Sequence, residues 1–330
     1  MDTPSAVKKT NLLVSVIIGV YNGERYLKET VDSLLAQTYE NREIIIVNDG
    51  STDQSQTIIA SYHDPRIICI NRANNLGLTK SLNEGLGHAQ GKYIARLDVG
   101  DVSIPSRIAE QVSFLNHHPE VGIVGSGIQI FVDNRTLKNY IYNPTHEDIK
   151  NSLLHFVNPL PHSTLMLRKS VVDQLHGYDN RFLRSQDYDL LLRALDITRL
   201  DSIPKALVRS RFDPSSLSYA SSKQLIYGIA ALLCAFRRRQ GCQKIHNEER
   251  WKNLLVTIEK FIEHHRLDRI AIAGKYGVLA RLSLSNRRWF DFFYNAFLLL
   301  AYDPLFPIQG RKYISHKIVR HLDKLLCSSF

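Results

Sequence analysis

The 330-residue sequence has four cysteines, Cys69, Cys234, Cys242 and Cys327, none in a CxxC pair or beside a His cluster. That spacing argues against a zinc framework and a disulfide scaffold. Free thiols suit a reducing compartment, so the expected location is cytoplasmic. No run of about 20 residues, the length a spanning helix needs, is free of charge. The nearest, residues 289–308, is interrupted by Asp291 and Asp303 and carries Pro304 and Pro307. No Gly-x-Gly-x-x-Gly follows the first apolar run, which disfavours a dinucleotide-binding dehydrogenase. There is no internal repeat. Hydrophobic residues make up 44%, enough to bury a sizeable core.

Charge is present but unevenly placed. The net charge is +10, and residues 221–330 hold 19 Lys or Arg against 8 Asp or Glu, which leaves the first 220 residues close to neutral. Such an excess speaks of partners and not of the fold. No nucleic-acid recognition motif accompanies it.

The N-terminal run LLVSVIIGV follows Lys8 and Lys9 and mimics a signal peptide, yet no small-residue cleavage site follows. Residues 13–20 read as a strand covered on both faces, the pattern of a parallel sheet. Residues 24–37 have helical apolar spacing. EIIIVNDGS, RIICIN (66–71) and KYIARLD (92–98) read as further strands, separated by helices over 53–62 and 78–89. After Pro105 come a helix over 106–117, the Gly-rich strand GIVGSGIQIFV, a loop and strand over 158–168, and a helix over 186–195. Strand and helix alternate, so the fold class is α/β with a mainly parallel sheet flanked by helices. From 221 onward the pattern is helical and basic, which divides the chain into 1–220 and 221–330.

Ligands of such sheets sit at the carboxyl ends of the strands. Three of those ends carry polar turns, Tyr21–Glu24, Asn48–Ser51 and Asp98–Asp101, and the turns should converge. Asp49 can accept from a base N–H, Tyr21 can pack on a ring, and Asn22 and Glu24 can hold ribose or base edges. NDGS is also the composition of an ordinary turn. Asp98 and Asp101 suit Mg²⁺ or Mn²⁺, which take oxygen ligands and share them with phosphates; helix capping or solvated loop acids are the alternative. Asp187 and Asp189 open an apolar helix, whose N-terminus favours an ionised carboxylate. Either can serve as a general base or as a cap.

The run VSVIIGVYNGERYLKETVDSLLAQTYENREIIIVNDGSTDQS, with NNLGLTKSLNEGLGHAQGKYIARLDVGD, closely resembles the opening of glycosyltransferase family 2, which has the GT-A fold. HSTLMLRKSVV and GYDNRFLRSQDYDLLLR resemble its acceptor-side motifs, so the resemblance spans about residues 12–218. It implies a nucleotide-sugar site built from Val20, Tyr21, Asn22, Glu24, Asp49, Asn75, Gly77, Lys80 and Asp98. It also implies a metal on the Asp98–Asp101 segment, His162 near the reaction centre on the acceptor side, and Asp187 as the base of an inverting transfer.

Four positions depart from the family pattern. Gly100 stands where an acid is expected to touch the metal, Asn48 where Asp is usual, Gly19 for Pro, and Leu191 for a frequent Trp. The expected function is a hexosyl-type transfer from a nucleotide sugar, a UDP-sugar foremost, to a glycan or lipid-linked acceptor in surface polysaccharide or lipopolysaccharide synthesis. The alternative is a nucleotide-sugar-binding or assembly subunit that keeps the fold without metal-dependent turnover. Two C-terminal stretches, 225–239 and 287–302, place arginines beside apolar and aromatic residues. They read either as contacts with the inner face of the membrane or as helices packed on the catalytic region.

Overall fold

The computed structural model describes residues 12–132, 135–141, 143–212, 222–242, 245 and 247–264. The first hundred residues alternate as expected: β1 (Val14–Val20), α1 (Glu24–Leu35), β2 (Arg42–Asn48), α2 (Ser55–Ala60), β3 (Ile67–Asn71), α3 (Leu78–His88) and β4 (Tyr93–Arg96). β1 lies between β2 and β4, parallel to both, and β2 is parallel to β3. The chain continues through β5 (Val102–Ser103), α4 (Arg107–His117), β6 (Val121–Val132), β7 (Arg135–Tyr140) and α5 (His146–Leu154). A 3₁₀ turn at His162–Thr164 leads into β8 (Met166–Arg168) and α6 (Lys169–Gln174). α7 (Gln186–Ala194), β9 (Arg199–Arg211), α8 (Ser222–Arg239) and α9 (Glu248–His264) follow.

The strands form one nine-stranded sheet in the order β3-β2-β1-β4-β8-β6-β9-β5, with β7 on β6. β8 runs antiparallel to β4 and β6, so the second half of the sheet is mixed where the first is parallel. β9 was not legible in the sequence because charge and Pro204 break its pattern. It pairs with β6 through register shifts, one of them spanning Pro204, where a bulge needs no N–H donor.

Successive side chains of a strand point to opposite faces. Val16, Ile18, Ile44 and Ile46 therefore pack with α1, α2 and α4, while Ile17, Ile45 and Val47 pack with α3, α7 and α8 on the other side. This two-sided burial is why those strands read as unbroken apolar runs.

Of the two readings of residues 225–239, the packing supports a helix set on the catalytic region. Leu225, Ile226, Ile229, Ala230 and Leu233 are buried in the same cluster as Leu190, Leu191 and Leu192 of α7. Arg238 and Arg239 donate to Asp196 at 2.7 and 3.0 Å, and Arg238 also donates to the Leu192 carbonyl. These arginines serve the C-terminal end of α7, where carbonyls lack helical partners. Residue 220 falls within 213–221, and both it and 287–302 lie outside the described residues. No helix among the described residues is long and apolar enough to cross a membrane.

α9 reaches back to the segment before α7. Trp251, 5% exposed, meets Phe182 edge-on at 5.1 Å and lies 4.7 Å beneath the Arg181 guanidinium. Trp251→Ala is expected to cost about 3–5 kcal/mol of stability, as aromatic truncations in cores do. Chemical denaturation measures this, and a loss within 1 kcal/mol, the scale of ordinary surface changes, would contradict the assigned packing.

Candidate active site

Because β1, β2 and β4 are parallel neighbours, their carboxyl ends share one edge of the sheet. Val20 is buried at the end of β1, and its carbonyl accepts from the N–H of Asp49 at 2.8 Å. Tyr21 stands out from it, 52% exposed. Asn22 adopts φ 49 and ties this turn to the next: its N–H donates to Ser51 Oγ and its Oδ1 accepts from the Thr52 N–H. Glu24 does likewise, donating to Asp53 and accepting from the Gln54 N–H. Asn22 and Glu24 thus lock the first two polar turns together.

Asp49 is 3% exposed. Its carboxylate gathers the segment ahead of α3, accepting from the N–H groups of Leu76 and Gly77 and from Arg72. Gly50 must be glycine, because at φ +69 an added Cβ would lie 2.6 Å from the Asn74 backbone. Asn75 Oδ1 accepts from the Gly77 N–H, and Lys80 stands exposed in the first turn of α3.

The third turn is built around Arg96, a charge in an otherwise apolar strand and 1% exposed. Arg96 donates to the carbonyls of Ile17 and Leu97, to Asp98 Oδ1 and to His162 Nε2. The 3₁₀ turn closes over it: Ser163 Oγ donates to Asp98 Oδ2 at 3.1 Å, and the Arg96 N–H donates to the Leu165 carbonyl. Behind it the fully buried Arg107 donates to the Arg96 carbonyl at 2.7 Å.

His162 occupies the centre. Its Nε2 accepts from Arg96 and from the Tyr178 hydroxyl at 2.8 Å, which leaves Nδ1 to carry the proton, 4.0 Å from Asp98 Oδ2. Burial and the Arg96 charge pull its pKa below the ordinary value, against the opposing charges of Asp98 and Asp187, so the ring is neutral. Burial acts to raise the Asp98 carboxyl, but the Arg96 charge and the bonds from Ser163 and Arg96 outweigh it and hold it low. Asp187 Oδ2 accepts from Asn158 at 2.9 Å. Asp189, the second acid of this helix, is the structural one: 3% exposed, it pairs with Arg193 at 2.8 Å.

The structure therefore brings Asp98, His162 and Asp187 together and places Val20, Tyr21, Asn22, Glu24, Asp49, Asn75 and Lys80 along the adjoining edge. Sequence reasoning missed Arg96, Tyr178 and Arg107. A charge inside the short strand KYIARLD was the signal for Arg96; Tyr178 lies in the motif GYDNRFLRSQDYDLLLR, whose pattern gave it no role of its own.

A resident divalent ion fits this donor set poorly. Three of the four carboxylate oxygens of Asp98 and Asp101 already accept from Arg96, Ser163 and the Arg211 N–H. Among the described residues no group of three or more His, Cys, Asp or Glu could hold a metal. Burial pushes the Asp101 carboxyl up to about 6, with the Asp98 charge adding to it.

An acid raised in the folded state binds more protons folded than unfolded, so Asp101 lowers stability as pH rises from about 4 to about 6. Asp101→Asn is expected to remove this loss. The melting temperature of the variant relative to the native chain should climb between pH 4.5 and pH 7. A difference that stays constant over that range would contradict the assignment.

The family model for "Glycosyl transferase family 2" matches residues 15–175. An uncharacterized glycosyltransferase of Haemophilus influenzae is 36% identical over 217 residues, 62% of this chain and 67% of that protein. Staphylococcus aureus TarS 1-349, solved with UDP-GlcNAc, matches 91% of this chain and 93% of its own at 16% identity and TM-score 0.60. The mannosyltransferase PcManGT of Pyrobaculum calidifontis, solved with GDP-Man and Mn²⁺, matches 89% and 87% at 18% identity and TM-score 0.52. These likenesses identify the GT-A fold. With the family model and the Haemophilus relative, they close the question the three turns opened: the chain belongs to glycosyl transferase family 2 and is a glycosyltransferase.

Proposed function

We propose that this chain is an inverting glycosyltransferase that moves a hexose from a nucleotide sugar, a UDP-sugar foremost, to an acceptor hydroxyl. The carrying observation is His162 at the carboxyl end of the sheet, 4.0 Å from Asp98 and bonded to Arg96 and to Tyr178, a residue of the segment that leads into α7. A donor lying along the edge from Tyr21 and Asp49 to Asp98 would present its anomeric carbon at that point.

The chemistry follows from the acids. Asp187 takes the proton of the acceptor hydroxyl. The acceptor oxygen bonds to the anomeric carbon as the bond from that carbon to the diphosphate oxygen breaks. The electron pair leaves on the nucleoside diphosphate, and in-line displacement inverts the anomeric centre. Asn158 holds Asp187 toward the cleft, and neutral His162 offers Nδ1–H without adding a charge that would quench the base. A positioned base contributes roughly 10²–10⁴-fold to such a step.

We assign the product to surface polysaccharide or lipopolysaccharide, built on a glycan or lipid-linked acceptor. Contact with the cytoplasmic face of the membrane would now rest on residues 287–302, since the arginines of α8 are engaged by α7.

UDP or another nucleoside diphosphate should raise the melting temperature, since a ligand at 100 times its Kd adds about 2.7 kcal/mol to the folded state. Asp49→Ala should abolish that shift by releasing the segment before α3. Asp187→Ala should keep the shift and lose transfer by two orders of magnitude or more, in line with the contribution of a general base. Full transfer by Asp187→Ala would remove the base from the mechanism.

A further inference from the structure

The turn that should carry the metal is built for something else. Gly100 has φ +99, a conformation that L side chains rarely adopt, so the turn itself resists an acid at this position. Its N–H donates to Thr30 Oγ1 at 3.0 Å, and the same hydroxyl donates to the Asp101 carbonyl at 2.9 Å. Its carbonyl accepts from Arg211 Nε at 3.3 Å.

Arg211 is fixed at this rim from several directions. Its guanidinium lies 4.3 Å from the Tyr26 ring centroid and 4.5 Å from that of Phe131, and it pairs with Glu29. Its N–H donates to Asp101 Oδ1 at 3.1 Å. An added Cβ on Gly100 would lie 3.7 Å from the same Tyr26 ring. The cation is thus carried by the protein at the edge of the residue where the family places a metal-touching acid.

Charge counting points the same way. A divalent site needs carboxylates whose charge is not otherwise neutralised. Here Asp98 pairs with Arg96, and Asp101 Oδ1 already accepts from the Arg211 N–H. The exposed Lys80 stands at the start of α3 on the same sheet edge.

We propose that this enzyme binds its nucleotide sugar without a divalent metal ion, the diphosphate being met by fixed protein cations, with Arg211 in the place of the ion. The inference rests on the donor reading given above.

The test is binding of UDP, with GDP as a second probe, to the full chain stripped with EDTA and dialysed, by calorimetry in EDTA and again in excess Mn²⁺ or Mg²⁺. The expected result is a UDP Kd that differs less than about twofold between the two conditions, where loss of an ion worth 1.4 kcal/mol would change it tenfold. Arg211→Gln should weaken binding in EDTA about tenfold or more, and Arg211→Lys should recover most of that loss, because a charge and not a metal ligand is removed. Binding that vanishes in EDTA and returns saturably with Mn²⁺ or Mg²⁺ would overturn the proposal, and this comparison needs only the native chain. Failure of both UDP and GDP to bind in either condition would instead overturn the donor reading, and with it this inference.

Discussion

A guanidinium carried into a protein with 1% of its surface left to water must find an acceptor for its N–H groups, and Arg96 finds them in the pieces that make the cleft. It binds the middle strand through Ile17, its own strand end through Leu97, the third polar turn through Asp98, and the acceptor side through His162. Arg107, buried behind it, holds the Arg96 carbonyl and leans on the carbonyl of Leu165. The parallel half of the sheet and the mixed half meet at this point, because Arg96 ends β4 and Leu165 precedes β8. An uncharged residue at position 96 would leave Asp98 without its closest cation and His162 without a donor.

The same interaction sets the electrostatics. The Arg96 charge helps hold Asp98 ionised and, with burial, keeps His162 neutral. Neutral His162 can then stand 4.0 Å from Asp98 without forming an ion pair with it.

The family-model match ends at residue 175, and the base we propose, Asp187, lies beyond it. What holds that base is supplied by later elements. Ser185, left-handed at φ 54 just before α7, donates to the Gln224 carbonyl of α8, and Trp251 of α9 covers Phe182. α8 and α9 therefore act as the back wall of α7 and of the segment before it. This also explains the apolar run 225–239 physically: an apolar helix face with basic ends suits a helix partner as well as a bilayer, and α7 is that partner.

The sequence by itself determined the parallel α/β half. Runs such as IIIV, buried on both faces of a sheet, carry their burial in composition, and their turns announce themselves by Asn, Asp, Gly and Ser. It also placed Asp98, His162 and Asp187 in one family pattern and marked Gly100 as a departure. Only the tertiary structure decided what each polar group does. Asn22, Glu24 and Asp49 spend their side chains on neighbouring turns, Asp189 pairs with Arg193, and Arg211 comes to Gly100 from more than a hundred residues away. The reason is physical: apolar burial is periodic along the chain and so can be read locally, whereas a hydrogen bond or ion pair is fixed by which partner the fold delivers, and that partner leaves no mark on the residues next to it.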